Sequence, residues 1–296
     1  MCGAAGGCTA VWGGWGGADE LFFFGPKEDV LINANYGKKW PWHKYICPGS
    51  ISIDVGTEWG DTLLLIAAAS QGGVTLGLEV LPGKYLANEW EARLNPQLNI
   101  IPHVFGAKFD GGGTGGVTRG GEVGGTWSQI HQHGKSFRFR SVPLQAWVED
   151  RLEEEEKEHI SFIKIDIEGM DKILVATLGT LTARSQPLFL IEFYLDFRRG
   201  GCGAGSNGIW EAARKINYDV WTWDLQTKLD SCSSASAKFS LTVCHDPGKG
   251  TDLCDLVLVP AGIHPGKERG SICRPPMSKA RVRDIMQRGA ALGVVT

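Results

Sequence analysis

Short apolar runs alternate with longer amphipathic segments along the chain from residue 50 onward. The apolar runs predict about seven strands, at 51–55, 74–78, 99–105, 160–165, 187–193, 218–223 and 255–259. The patterns between them predict helices at 61–70, 84–94, 144–152, 171–178 and 209–216. Strands that are apolar almost throughout and alternate with helices are typical of a parallel sheet covered on both faces. The sequence therefore predicts an α/β fold of three layers.

The end of the pattern predicts an irregular sheet edge. No convincing helix separates the runs 218–223 and 255–259, so we expect these strands to pair as an antiparallel hairpin. Residues 136–140 form a further candidate edge strand. The predicted sheet is thus mostly parallel, with an antiparallel hairpin at one edge.

Glycine is unevenly distributed, and its distribution helps to delimit the domain. It accounts for 41 of the 296 residues, whereas an average protein has a glycine share of about 7%. More than half of these glycines lie in the segments 1–25, 110–125 and 200–208, and the rest of the chain has an ordinary globular composition. We expect an N-terminal extension (1–49), one domain (50–260) with a glycine-rich insertion (110–125), and a basic C-terminal tail (261–296) that is helical over 279–287.

Charge narrows the classes of partner. The net charge of -3 argues against a nucleic-acid-binding protein, which would need a basic face. Residues 153–158 form an acidic run, whereas 264–296 carry seven Lys or Arg and two acidic residues. Because such runs are commonly solvated, we expect an exposed helix face for the first and a surface tail for the second.

Cysteine spacing bears on the compartment and on metals. The eight cysteines include no C-x-x-C pair, and His131 with His133 lacks an evident third ligand, so we expect no metal site. A chain of this length does not need disulfides to stabilise its core, and we expect reduced cysteines. No secretory signal or membrane-spanning run is recognisable, which favours a cytoplasmic protein without a membrane span. Its oligomeric state is not predicted by any of these patterns.

The first predicted strand ends in a loop that suits a ligand, since ligands of open parallel sheets bind at the carboxyl ends of strands. The loop contains Asp54, Gly56, Gly60 and Asp61. The glycines allow a ligand to approach the backbone, and Asp61 suits the helix N-terminus as a cap. A Gly-x-x-x-Gly spacing is not the pyrophosphate-binding Gly-x-Gly-x-x-Gly, and Asp54 would attract a cationic or amino-bearing group. A purely structural strand-to-helix turn would carry the same residues.

A second acidic residue follows the next strand. Glu79 lies where a carboxylate accepts hydrogen bonds from both ribose hydroxyls in dinucleotide sites, although a solvated glutamate at a strand end is the simpler alternative. Together Asp54 and Glu79 favour a nucleoside ligand without a phosphate. S-adenosylmethionine fits this description, because it has a ribose, a zwitterionic amino acid and a sulfonium.

Two alternating carboxylates, Asp166 and Glu168, follow the strand 160–165. Carboxylates at the end of a buried strand are costly unless they are used or paired. We identify both as candidate catalytic residues, with Asp166 orienting an acceptor or taking its proton. A structural role, holding the next helix or a backbone amide, is the alternative.

These motifs resemble those of the FkbM-type S-adenosylmethionine-dependent methyltransferases. The most specific match is the run 162–169, which is similar to the family's Lys-Ile-Asp-hydrophobic-Glu-Gly motif. The resemblance covers about residues 28–260, and its other matching segments are 53–56 with 60–62, 78–79 with Pro82, 190–193 and 255–260.

The resemblance implies a class I methyltransferase-like (Rossmann-like) sandwich, S-adenosylmethionine as cofactor, and methyl transfer usually to oxygen. Its implied cofactor-binding residues are Asp54, Gly56, Thr57 and Gly60 at the methionine end, Glu79 at the ribose and Ala107 near the adenine. We therefore expect a methyltransferase acting on a small-molecule or glycan hydroxyl, with the acceptor unidentified.

The chain also departs from the family's motifs, which leaves an alternative open. Thr57-Glu58 replaces the usual Ala-Asn, Val80 replaces a proline, and Met170 replaces an alanine. These changes motivate a non-catalytic methyltransferase-like protein that binds S-adenosylmethionine or a protein partner. A nicotinamide-dependent oxidoreductase is disfavoured because the chain has no Gly-x-Gly-x-x-Gly.

Overall fold

The structure is a computed structural model, and it describes residues 8–15, 18–26, 42–104, 106–108, 128–132, 135–139, 141–167, 175, 178–195, 208–232, 252–265 and 273–292. Its strands are β1 (Cys8–Trp15), β2 (Ala18–Pro26), β3 (Ile51–Val55), β4 (Val74–Glu79), β5 (Ile100–Val104), β6 (Gly106–Lys108), β7 (Ser128–Gln132), β8 (Lys135–Phe139), β9 (Ser141–Pro143), β10 (Ile160–Ile165), β11 (Leu188–Leu195), β12 (Tyr218–Thr222), β13 (Lys228–Leu229) and β14 (Asp252–Pro260). Its helices are α1 (Trp42–Tyr45), α2 (Asp61–Ala69), α3 (Pro82–Leu94), α4 (Leu144–Arg151), α5 (Glu154–Lys157), α6 (Gly179–Ser185), α7 (Gly208–Lys215) and α8 (Lys279–Leu292).

The main sheet has the strand order β13-β12-β14-β11-β10-β3-β4-β5. Its central strands β11, β10, β3, β4 and β5 are parallel. Strand β14 runs antiparallel to both β11 and β12. The chain moves outward in one direction from β3 to β5 and in the other from β10 to β11, so a topological switch point lies between β3 and β10.

The elements predicted from hydrophobic periodicity are largely confirmed. Each of the seven predicted strands corresponds to a strand of the main sheet, and 218–223 pairs antiparallel with 255–259. The short strand β13, which the sequence analysis does not predict, forms that edge beyond β12. The prediction for 136–140 is wrong in its place, because β8 pairs with β7 in a separate hairpin. The predicted helix 171–178 and the insertion 110–125 lie outside the described residues, apart from Val175 and Leu178.

Two apolar layers sandwich the sheet. Side chains of one face, including Ile53 and Ile163, pack under α4, α7 and α8. The other face packs against α2, which is buried on almost every side, as its nearly uniform apolar sequence predicts. On this second face β3 and β10 carry polar residues: Asp54 lies beside Lys164 in the parallel register. The strand ends therefore bring buried charges to the switch point.

The C-terminal arm, residues 273–292, is an integrated part of the domain. Its helix α8 packs against β4 and β5, and a Cβ added to Gly289 would lie 2.5 Å from Ile101 Cδ1. The Met277 amide donates to the Gly49 carbonyl at 3.0 Å. The predicted surface tail is therefore wrong for these residues, and the helix extends beyond the predicted 279–287.

The acidic run is not a freely solvated helix face either. Arg281 forms ion pairs with Glu153 at 2.6 Å and Glu155 at 2.8 Å. Arg288 forms an ion pair with Glu156, whose side chain is completely buried. We call these five residues the arm cluster. Acidic and basic residues from two sequence-distant runs thus pair with one another, which local sequence patterns do not encode.

The arm is also tied covalently. Cys47 and Cys273 form a disulfide across 226 residues of sequence, and Cys232 is disulfide-bonded as well. The expectation of reduced cysteines is wrong at these positions. Among the helices that the structure describes, none is long and apolar enough to cross a membrane.

Candidate functional site

The carboxyl ends of β3, β4 and β10 meet at the switch point. Parallel pairing sets Asp54 beside Lys164 and places Glu79 one strand away. Helix α2 begins directly behind the loop that leaves β3, and it carries Asp61 on its first turn. The site is thus assembled by sheet register, and each acidic residue lies at a strand end or a helix start.

Lys164 is the centre of what we call the strand-end cluster, formed by Asp54, Asp61, Lys164 and Asp166. Its ammonium lies 2.9 Å from Asp166 Oδ2 and 3.7 Å from Asp54 Oδ1. The other oxygen of Asp54 accepts a hydrogen bond from the Thr62 hydroxyl at 2.8 Å. Asp54 is fully buried and Lys164 is 4% exposed. The Asp166 side chain keeps 34% exposure and is the member that reaches solvent.

Burial makes the protonation of this cluster unusual. It raises the pKa of Asp54 to about 6, although Lys164 and the Thr62 hydroxyl counteract it. It raises the pKa of Asp61 to about 7, with Lys164 opposing the shift and Glu58 adding to it. For Lys164, burial disfavours the charge, but the neighbouring aspartates outweigh burial and raise its pKa. The lysine is therefore charged while the two buried acids titrate in the weakly acidic range.

The loop from Gly56 to Gly60 needs both of its glycines. They have φ values of 82° and 85°, a left-handed backbone that other residues rarely adopt. A Cβ on Gly56 would collide with the Asp166 carbonyl oxygen, and one on Gly60 would collide with the Glu91 carboxylate. The loop is thus pressed between β10 and α3. Gly60 caps α2, and no side chain provides a cap, so the predicted capping role of Asp61 is wrong.

Glu79 is buried and fixed by backbone amides. One oxygen accepts from the Val80 and Leu81 amides, and the other accepts from the Glu58 amide, each at 2.8 Å. Burial raises the pKa of Glu79, and these hydrogen bonds oppose the shift. The alternative of a solvated glutamate is wrong, because only 5% of the residue is exposed. Glu79 ties the glycine loop to the turn before α3.

Two further contacts close this side of the loop. The Asn88 amide of α3 donates to the Thr57 hydroxyl, and both residues are buried. Glu58 forms an ion pair with Lys84 at 2.7 Å, and the Lys84 ammonium lies 5.9 Å from the centre of the Trp59 ring. The charge that Glu58 adds, relative to the resembling family, is thus paired with a lysine of α3.

The predicted site residues are therefore brought together only in part. Asp54, Gly56, Thr57, Gly60, Glu79 and Asp166 surround the switch point. Ala107 lies in β6, which pairs with β9, and nothing is described of its side chain. Glu168 lies outside the described residues. The sequence analysis does not identify Lys164 as a site residue, yet a lysine two residues before Asp166 in an apolar strand is a signal that could have identified it.

Comparisons with known proteins return structures but no sequence relatives. The chain matches no protein-family model and no curated protein. A precorrin-6y C5,15-methyltransferase from Geobacter metallireducens matches with a TM-score of 0.40 and 8% identity, over 80% of this chain and 88% of that one. Methyltransferase FkbM from Methylobacillus flagellatus matches with a TM-score of 0.42 and 12% identity, over 78% of this chain and 52% of that one. The chain thus spans about half the length of that FkbM protein.

A third structure was solved with a ligand. Fibrillarin from Aeropyrum pernix, in complex with natively bound S-adenosyl-L-methionine, matches with a TM-score of 0.40 and 10% identity, over 77% of this chain and 74% of that one. TM-scores below 0.5 assign neither an activity nor a substrate to this chain. The order of its own strands, with antiparallel β14 between β11 and β12, defines a Rossmann-like, class I methyltransferase-like fold.

Proposed function

We propose that the chain is an S-adenosylmethionine-dependent methyltransferase. The observation that carries the proposal is the strand-end cluster, in which three aspartates share one buried lysine beside the glycine loop at the switch point. This cluster has an excess of carboxylates, which suits a cationic ligand and disfavours a phosphate. S-adenosylmethionine, when bound, supplies an electrophilic methyl group on a sulfonium.

The residues around the switch point fit this cofactor. Gly56 and Gly60 provide the left-handed backbone that turns the loop between β3 and α2 at the switch point. A carboxylate has about four acceptor positions, and backbone amides use three of those on Glu79. Glu79 therefore retains capacity for one ribose hydroxyl, rather than the two that the sequence suggests.

Asp166 is the residue that we assign to the acceptor. It is the exposed member of the cluster, and Lys164 fixes one of its oxygens. The other oxygen is available to accept a hydrogen bond from a nucleophilic group and so to orient it toward the cleft. The same oxygen can take the proton of a hydroxyl as that hydroxyl attacks.

For the methyl acceptor we propose only a chemical class. A small-molecule or glycan hydroxyl is supported by the resemblance of 162–169 to the FkbM-type motif and by the acidic net charge, which disfavours nucleic acid. A screen of hydroxyl-bearing metabolites and oligosaccharides with methyl-labelled cofactor would test this proposal. Label transfer that Asp166→Asn lowers without weakening cofactor binding would support it, and label transfer to amines or RNA alone would contradict it.

The disulfide bears on the cellular compartment in which the protein functions. A cytoplasmic location is the expectation from the sequence, but a disulfide that links Cys47 to Cys273 persists in oxidising compartments. We therefore propose an oxidising compartment. Alkylation of the protein from its native source before and after reduction, followed by mass spectrometry, tests it; native Cys47 that reacts before reduction would contradict it.

A non-catalytic protein is the second candidate function. The buried hydrogen bond between Asn88 and Thr57 and the ion pair between Lys84 and Glu58 hold the loop closed against α3. Together with the departures at Thr57-Glu58, Val80 and Met170, these contacts support a methyltransferase-like protein that binds the cofactor or a protein partner without catalysis. Cofactor binding without label transfer to any acceptor, including proteins from the native source, would favour this candidate.

A further inference from the structure

The strand-end cluster contains more buried acid than its single cation can neutralise. Asp54 is fully buried and Asp61 is 8% exposed, and both interact electrostatically with Lys164. Asp166 takes the closest contact with the same ammonium. If all three aspartates were ionised, the cluster would carry an excess of two negative charges, with two of the three carboxylates buried away from water.

Among the residues that the structure describes, the other charged groups around the cluster do not correct this imbalance. Glu58 of the glycine loop is already paired with Lys84 of α3. Glu79 at the end of β4 is buried among backbone amides. Glu91 of α3 faces the loop at Gly60 and adds a further carboxyl group. A proton therefore reduces the excess to one negative charge when no cation is bound, and Asp166, which contacts solvent, can carry that charge.

Asp61 is the best place for this proton. Asp54 has both the Thr62 hydroxyl and the nearby ammonium to stabilise its charge. Asp166 has the ammonium at 2.9 Å and contact with solvent. Asp61 is buried, and among the described residues it forms no ion pair, unlike Asp54 and Asp166. Burial raises the pKa of Asp61 to about 7; the charge of Lys164 opposes this shift, whereas Glu58 and Asp54 add to it.

We propose that S-adenosylmethionine binding expels a proton from Asp61, so that the strand-end cluster exchanges a proton for the positive charge of the sulfonium. The proposal rests on the proposed function. The carboxyl O–H bond breaks, the proton passes to the buffer, and the ligand is chemically unchanged. S-adenosylhomocysteine, which lacks the methyl group and the sulfonium charge, should expel much less.

Calorimetric titration in buffers of different ionisation enthalpy measures the number of protons released. Titrations between pH 5.5 and pH 7 keep an α-amino group protonated, since its pKa is about 8. We expect release of most of one proton at pH 6, and a rise in S-adenosylmethionine affinity of about fivefold to tenfold between pH 5.5 and 7. S-adenosylhomocysteine affinity should change by less than about twofold over the same range.

Two variants test whether Asp61 is the residue that releases the proton. Asp61→Asn should abolish most of the proton release and flatten the pH dependence. Asp219→Asn is the matched control, because Asp219 pairs with Lys228 at the far edge of the sheet, and it should leave the release unchanged. Unchanged release in Asp61→Asn would overturn the assignment to that residue.

Titration of the wild-type protein alone distinguishes failure of the proton exchange from failure of the proposed function. Cofactor that binds with no proton release and constant affinity would overturn the proton exchange and leave the proposed function intact. Absence of binding at every pH would overturn the proposed function together with the exchange.

Discussion

The strand-end cluster and the arm cluster are both built from opposite charges brought together by tertiary structure, but they differ in burial and balance. In the arm cluster, Glu153 and Glu155 are more than half exposed, Glu156 is buried, and each of the three touches an arginine nitrogen. In the strand-end cluster, the buried Asp54 and Asp61 share one lysine. The closest contact of that lysine, Lys164, is with a third aspartate, Asp166. Exposed pairs stabilise little, whereas an excess of buried charge costs stability. Because of this difference we propose the strand-end cluster, and not the arm cluster, as the cofactor site.

Loss of Lys164 from the strand-end cluster should lower the free energy of unfolding far more than loss of an arginine from the arm cluster. Lys164→Met leaves the aspartates without their cation, and we expect a loss of about 3–5 kcal/mol in the free energy of unfolding. Urea unfolding at pH 7 measures it. The corresponding change in the arm cluster, Arg281→Met, should have a much smaller effect that 0.5 M salt removes; an equal effect of the two variants would refute the distinction.

The free energy of unfolding should depend on pH through the buried Asp61 of the strand-end cluster. Because folding raises the pKa of Asp61 to about 7 from its usual 3.8, the folded protein holds a proton that the unfolded chain has released between these values. The contribution of Asp61 to stability is therefore fully present below about pH 4 and falls as pH rises to 7. We expect the wild type to lose about 2–4 kcal/mol through this group.

The matching variant removes the titrating group. Asp61→Asn should abolish most of that loss and be more stable than the wild type at pH 8, as measured by urea unfolding at a series of pH values. Asp219→Asn, which removes the ion pair with Lys228 at the far edge of the sheet, serves as the control and should follow the wild-type curve. Parallel curves for Asp61→Asn and the wild type would contradict the assignment.

The arm depends on its disulfide more than on its ion pairs. Replacing Cys47 and Cys273 together by serine should lower the free energy of unfolding by about 2–4 kcal/mol. Amide hydrogen exchange should accelerate in α8, because the helix loses its covalent anchor, while exchange in β3 stays slow. Equal protection of α8 in the variant and the wild type would show that packing against β4 and β5 suffices.

Glu79 tests the cofactor side of the site with a smaller expected effect. Glu79→Ala should weaken S-adenosylmethionine affinity by about 1–3 kcal/mol, because ligand and loop donors lose their acceptor. Calorimetry measures the change, and circular dichroism confirms the fold. Glu89→Ala, which removes an α3 glutamate bonded to Tyr85, is the matched control and should keep wild-type affinity.

The same comparison shows what the sequence could predict. Apolar strands, the glycine loop and the acids at strand ends follow from local periodicity, so the sheet and residues such as Asp54 and Glu79 were predicted. The arm cluster was not, because the pairing of 153–156 with Arg281 and Arg288 joins runs that are far apart in the sequence. The disulfide likewise joins cysteines 226 residues apart, with no local spacing to indicate it.

The fine geometry of the site escaped prediction for a different reason. The residue types at Asp61 and Lys164 are visible in the sequence, but their function depends on burial and on the register of β10 against β3. The hydrogen bonds of Glu79 to three amides depend on the turn after β4 and the loop after β3. Strand ends thus indicate where a site lies, and packing decides which charges it leaves unbalanced.

Titration of the folded wild-type protein with S-adenosylmethionine tests whether the strand-end cluster and the glycine loop bind the cofactor. If the buried acids beside the glycine loop form the cofactor site, as we propose, one equivalent binds and Glu79→Ala weakens the binding. No detectable binding at millimolar S-adenosylmethionine, by a protein whose fold is confirmed by its unfolding transition, would contradict the account.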